Sequence, residues 1–176
     1  MSKKTVNFID DLAKIQRYID KRVRAQQEVR EPITAMEFGM QLCQAGYLLL
    51  NFDVRQKHDR DGTWTLALDG PTLALHHWSR AYMNADEHGI EFVLLSGKKK
   101  SLGPGAKDAA VAGEFGKTLL SIVRDAKARG VFAPLLLTPE CQVEILEFDW
   151  MWEWPDYADL GKRNLFRKLQ AARLPE

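Results

Sequence analysis

The chain has 176 residues, 45% hydrophobic, 28% charged and 10% aromatic, with two cysteines. That length suits one domain, and the composition excludes an intrinsically disordered chain and a disulfide scaffold. Twenty-five basic side chains against 24 acidic ones leave a net charge of +1, which excludes a uniformly basic nucleic-acid-binding surface.

The N-terminus begins with Lys3 and Lys4 but meets Asp10 and Asp11 where a secretory signal would carry its apolar core. From Asn7 to about Gln27, Phe8, Leu12, Ile15, Ile19 and Val23 recur every three or four positions, which predicts an amphipathic helix. Lys14, Arg17, Lys21 and Arg24 have the same spacing on the opposite side and form a basic stripe. A second helix is expected from Thr34 to Ala45, with Thr34 as N-cap and Gly46 ending it.

Tyr47 to Arg55 and Thr63 to Leu68 read as strands joined by the turn Asp59-Arg60-Asp61-Gly62. Asp69-Gly70-Pro71 then opens a helix from about Thr72 to Glu87, stopped by Gly89. Ile90 to Leu95 reads as a short buried strand, and the loop Ser96 to Lys107 leads to a long helix from about Asp108 to Arg129. Val131 to Leu137 and Gln142 to Trp150 read as two strands joined across Thr138-Pro139-Glu140. A last helix is expected from about Lys162 to Ala172.

The alternation of strand and helix in the centre predicts two right-handed βαβ crossovers. The expected fold is a single globular α/β or α+β domain over 1–176, built on one mixed five-stranded sheet with flanking helices. Its parts would be a helical pair over about 7–46, a sheet core over about 47–150 and a C-terminal helix over about 162–172. The longest apolar runs, such as Val131 to Leu137, fall far short of the roughly 20 residues that span a bilayer. Cys43 and Cys141 sit in apolar segments and read as buried free thiols, so a soluble, cytoplasmic protein is expected.

The net charge conceals segregation. Residues 1–30 carry +4, 31–60 carry −1, 61–97 carry −4, 98–130 carry +5, 131–161 carry −7 and 162–176 carry +4. Blocks of opposite sign either pair with each other in the fold or set up separate local fields. Within the −7 block, an extended chain would place Leu146, Phe148, Trp150, Trp152 and Trp154 on one side. Glu147, Asp149 and Glu153 would lie on the other. Indoles at a strand end cap a core, or they anchor an interface towards which carboxylates steer a cationic partner.

The loop Ser96 to Lys107 holds Lys98, Lys99, Lys100 and Lys107 among glycines, ahead of a helix, where a phosphate is a reasonable ligand. It matches neither a Walker A sequence nor a dinucleotide fingerprint. The histidines His58, His76, His77 and His88 form no zinc-binding pattern; adjacent His76 and His77 would diverge on a helix. The only Asp-x-Lys, at Asp125, falls on the long predicted helix rather than on a nuclease-like strand, and there is no nucleophile elbow.

No catalytic residue, cofactor or metal is therefore expected. The leading expectation is a non-enzymatic interaction module of inhibitor or immunity type, binding a basic partner such as a toxin or a nucleic-acid-acting enzyme. Its contact residues would be Glu147, Asp149, Trp150, Trp152, Glu153, Trp154, Asp156 and Tyr157. The alternative is a nucleic-acid- or nucleotide-binding protein, an enzyme or not, that holds phosphate with Lys98, Lys99, Lys100 and Lys107. The basic stripe Lys14, Arg17, Lys21 and Arg24 would then assist.

Overall fold

The computed structural model describes residues 3–28, 32–43, 45–53 and 71–147. The turn expected at 59–62, the strand at 63–68 and the helix from Lys162 lie outside them, as do residues 148–157.

A short strand β1 (Lys4–Asn7) runs directly into helix α1 (Phe8–Gln27). Asn7 makes the junction: its backbone is extended, and its side-chain oxygen accepts the Ile9 amide at 3.1 Å. The expected periodicity of α1 holds, with Phe8, Ile15, Ile19 and Val23 buried and Lys14, Arg17, Lys21 and Arg24 exposed.

The helix expected from Thr34 to Ala45 is instead strand β2 (Ile33–Gln41), which removes the predicted helical pair. Met36, Phe38, Met40 and Leu42 alternate along the chain and are all fully buried. That period of two outweighs the helix propensity of Met, Glu and Gln, and Gly39 would weaken a helix interior. Strand β3 (Tyr47–Asp53) pairs antiparallel with β2, from Ala35 opposite Asp53 to Gln41 opposite Tyr47. Gly46 turns the chain between them at φ +61°, and a Cβ there would sit 2.6 Å from the Leu75 carbonyl oxygen.

The two-residue strand β4 (Leu73–Ala74) pairs with β3 and precedes helix α2 (His76–Met83) and the single turn α3 (Ala85–His88). Strand β5 (Ile90–Val93) follows, and then β6 (Lys99–Leu102), within a segment expected to be loop. Helix α4 (Asp108–Ala128) matches its expected span. The strand expected from Val131 to Leu137 is a series of tight turns, with Ala133 N–H to Gly130 O and Leu135 N–H to Phe132 O. Phe132 and Leu135 are anchored in the core from these turns. Strand β7 (Leu137–Glu147) continues through Pro139; between Ile33–Leu137 and Ala35–Gln142 the register slips, so a bulge absorbs the proline.

One five-stranded sheet is not formed. Among the described residues there is a three-stranded sheet in the order β1-β5-β6 and a four-stranded sheet in the order β4-β3-β2-β7. Each contains one parallel pair, β1 with β5 and β2 with β7. The mixed α/β class stands, but the parallel strands are divided between two sheets rather than linked by two successive crossovers. Helix α1 touches β5 of one sheet and β3 of the other, while α4 packs on α1, α2 and β7. Buried side chains from both sheets and from α1, α2 and α4 form one continuous core.

Phe8, Trp78, Phe92 and Phe115 meet at its centre. Phe8 stacks on Phe92 at 5.6 Å and meets Trp78 and Phe115 edge-on. Such pairs contribute about 0.5–1.5 kcal/mol each beyond area burial.

Beyond its short pairing with β4, the outer edge of β3 is closed by α1. The Tyr18 hydroxyl accepts the Leu50 amide at 2.8 Å and donates to the Pro71 carbonyl at 2.9 Å. Arg22 places Nε and one terminal nitrogen on the Leu50 carbonyl at 3.1 and 3.0 Å, with its guanidinium over the Phe52 ring. Both backbone groups of Leu50 are thereby satisfied by helix side chains, which blocks the edge against further strand addition.

Candidate functional site

The lysine run takes its shape from the β5–β6 hairpin. Its turn closes with the Leu94 amide on the Lys98 carbonyl and the Gly97 amide on the Leu94 carbonyl, both at 2.8 Å. Gly97 has φ +79°, which a residue with a Cβ would resist. On a strand, successive side chains point to opposite faces. Lys99 therefore reaches Glu91 of β5 on one face, Nζ to Oε1 3.1 Å. Lys100 reaches Glu114 of α4 on the other at 2.8 Å, where Lys117 joins the same oxygen at 3.0 Å.

Glu114 is buried, which pushes its carboxyl pKa up. The hydrogen bonds and charges of Lys100 and Lys117 outweigh that and hold it below the ordinary value. Lys98 and Lys107 are exposed and make no ion pair among the described residues. The four lysines expected to hold phosphate are thus split: two are neutralised on opposite faces of a hairpin, and two are open.

Of the expected contact residues of the acidic aromatic segment, only Glu147 lies within the described residues; Asp149, Trp150, Trp152, Glu153, Trp154, Asp156 and Tyr157 do not. Glu147 ends β7 with its side chain turned inward, 5% exposed, and its Oε1 accepts the Leu42 amide at 3.1 Å. That hydrogen bond ties the end of β7 to the residue that follows β2.

A third cluster was not foreseen. Asp11 lies one helical turn from Phe8 and from Ile15, on the apolar stripe of α1, and is 1% exposed. Its Oδ2 accepts the Trp78 indole N–H at 2.8 Å and meets His77 Nε2 at 2.7 Å. Lys14 Nζ stands 3.9 Å from Oδ1. The indole only donates, and a carboxylate has no proton to give, so Nε2 is the protonated nitrogen of His77. The imidazole is 43% exposed, and its Nδ1 has no hydrogen-bond partner among the described residues.

His76 diverges from His77 as expected for helical neighbours, placing Nδ1 2.7 Å from the Ala45 carbonyl oxygen. The sequence signal for Asp11 was its helical phase, an acid in register with buried Phe8 and Ile15. The partner on α2 left no comparable mark, being 66 positions away.

Among the described residues no three His, Cys, Asp or Glu side chains are grouped to hold a metal ion. No described helix is long and apolar enough to cross a membrane. Cys43 is half-buried and Cys141 buried, and burial pushes the Cys141 thiol up to about 11. Comparison with protein-family models, curated proteins and solved structures finds no match.

Proposed function

We propose that the chain is a cytoplasmic, non-enzymatic interaction module of inhibitor or immunity type, which binds a basic protein partner through the segment that follows β7. Its anchors are Trp150, Trp152, Trp154 and Tyr157, and its steering charges are Asp149, Glu153 and Asp156. Glu147 belongs to the scaffold, because its carboxylate holds the Leu42 amide.

The observation that carries this reading is the neutralisation of the competing surface. Lys99 and Lys100 already have carboxylate partners on opposite faces of the hairpin. A phosphate at this hairpin would meet a carboxylate beside each of these ammonium groups, which weakens their pull on an anion and favours the acidic segment as the recognition surface.

The test is co-purification from the native host with the wild-type chain and with Asp149→Lys/Glu153→Lys/Asp156→Lys, both checked for native circular dichroism. Wild type is expected to retain a basic protein that dissociates as salt is raised and that the folded variant fails to hold. Equal retention by both chains refutes the reading. The competing nucleic-acid reading is scored with a labelled oligonucleotide at about 50 mM salt. Tight binding that is lost in Lys98→Ala/Lys107→Ala would replace the interaction module with a phosphate-binding protein.

A further inference from the structure

The Asp11–His77 pair is chemically asymmetric. One ring nitrogen is held against a buried carboxylate, and the other carries the only available lone pair on a half-exposed ring. Asp11 is itself fixed by the Trp78 indole, which belongs to the central aromatic cluster, so the pair is tied to the core. Among the described residues no side-chain hydroxyl lies within hydrogen-bond distance of Nδ1. A nucleophile needs only the lone pair and access.

We propose that His77 is a phosphoryl-accepting histidine, taking the group on Nδ1 from a donor of the phosphoramidate class. The Nδ1 lone pair attacks phosphorus, an N–P bond forms and the donor's N–P bond breaks. The donor reacts with its nitrogen already protonated, so that nitrogen leaves with the electron pair as a neutral amine or ammonia. The bond formed and the bond broken are of one kind, so no further reactant is needed. The Nε2 proton stays where it is, and the phosphorylated ring becomes cationic against Asp11. A hydrogen bond with one ionised partner thus becomes one between two ions. Asp11 is a positioning residue: it selects the tautomer and stabilises the ring charge. Lys14 Nζ, 3.9 Å from Asp11 Oδ1, adds a cation beside the carboxylate.

His76 supplies an internal control. Its Nδ1 lies against a carbonyl oxygen and must carry the proton there, which leaves Nε2 as its reactive nitrogen. The two adjacent histidines are therefore predicted to give opposite phosphohistidine isomers.

The experiment treats the full folded chain with potassium phosphoramidate, locates the acid-labile phosphate by fragmentation mass spectrometry and assigns the isomer by phosphorus NMR. His77 is expected to label about tenfold faster than His76 or His88 and to carry the group on Nδ1. His77→Gln, at an exposed position, should abolish the fast phase with an unchanged circular dichroism spectrum. Asp11→Asn should slow labelling at His77 and mix its isomers, a change that simple loosening of the fold would spread over all histidines. Phosphate on Nε2 of His77, a rate no greater than that of His76, or a fast phase that survives His77→Gln would overturn the proposal. The wild-type isomer alone decides it should Asp11→Asn fail to fold.

Discussion

Replacing Tyr18 with phenylalanine tests whether α1 holds the edge of the four-stranded sheet. The substitution keeps the ring, which is 8% exposed and packed in the core, so no cavity opens. What it removes is the hydroxyl that accepts the Leu50 amide and donates to the Pro71 carbonyl. Two neutral hydrogen bonds contribute about 1 kcal/mol each, and a buried amide left without an acceptor costs about 1–3 kcal/mol. Partial overlap of these terms gives an expected loss of about 2–3 kcal/mol, or roughly 5–10 °C in Tm for a chain of this size. Urea unfolding should show a lower midpoint with an unchanged slope. A loss below about 0.5 kcal/mol would mean that other groups replace the hydroxyl and that the edge is not held in this way.

The same residue gives a pH signature. Burial raises the Tyr18 phenol above 10.0, against the opposing effects of the Leu50 amide and Arg22. The unfolded chain therefore ionises first. The stabilisation is complete below pH 10.0 and is lost as pH rises through the native value, a decline that Tyr18→Phe should lack.

Two further perturbations read other parts of the scaffold. Glu114→Gln removes the acceptor charge shared by Lys100 and Lys117 and should cost about 1 kcal/mol at neutral pH, modest because both ammonium groups are half exposed. Since the native Glu114 carboxyl lies below 4.5, its stabilisation is present above that value and lost as pH falls through the lower native one. The difference between wild type and variant in urea unfolding should therefore shrink in acid, and a constant difference down to pH ~2 would refute the assignment. At pH 8, a thiol at about 11 is thiolate in about one molecule per thousand, against about one in ten at the ordinary 9.0. Cys141 should accordingly react with iodoacetamide about a hundredfold more slowly than an unperturbed thiol, and comparable rates would contradict its burial.

Local patterning revealed α1 and α4 because each buries a face whose period is visible within its own span, and β5 because it opens the apolar run Ile90 to Leu95. It misjudged β2, where helix-forming residue types conceal the alternation of Met36, Phe38, Met40 and Leu42. The decision there is made by pairing with β3 and β7, and β7 lies about a hundred positions away. β1 has four residues, too few for any period, and exists through its parallel pairing with β5. Division into two sheets was hidden for the same reason, since both parallel pairs join distant segments. At the hairpin the sequence displays a lysine run, but strand geometry sends Lys99 and Lys100 to opposite faces. Asp11 was readable in helical phase, whereas its meeting with His77 depends on how α2 packs.

Segment charges describe the fields of this fold only in part. Glu114 with Lys100 and Lys117, and Asp125 with Arg129, pair inside the +5 block and are already counted in its net charge, whereas Lys99 with Glu91 joins it to the preceding −4 block. The same lesson applies within the −7 block, where Glu147 is turned inward on a backbone amide. A charge-reversal series that included Glu147→Lys would bury a cation facing the Leu42 N–H, and would abolish binding by unfolding the strand end. The informative series leaves Glu147 intact and reverses only Asp149, Glu153 and Asp156, so that lost partner binding measures recognition rather than collapse of β7.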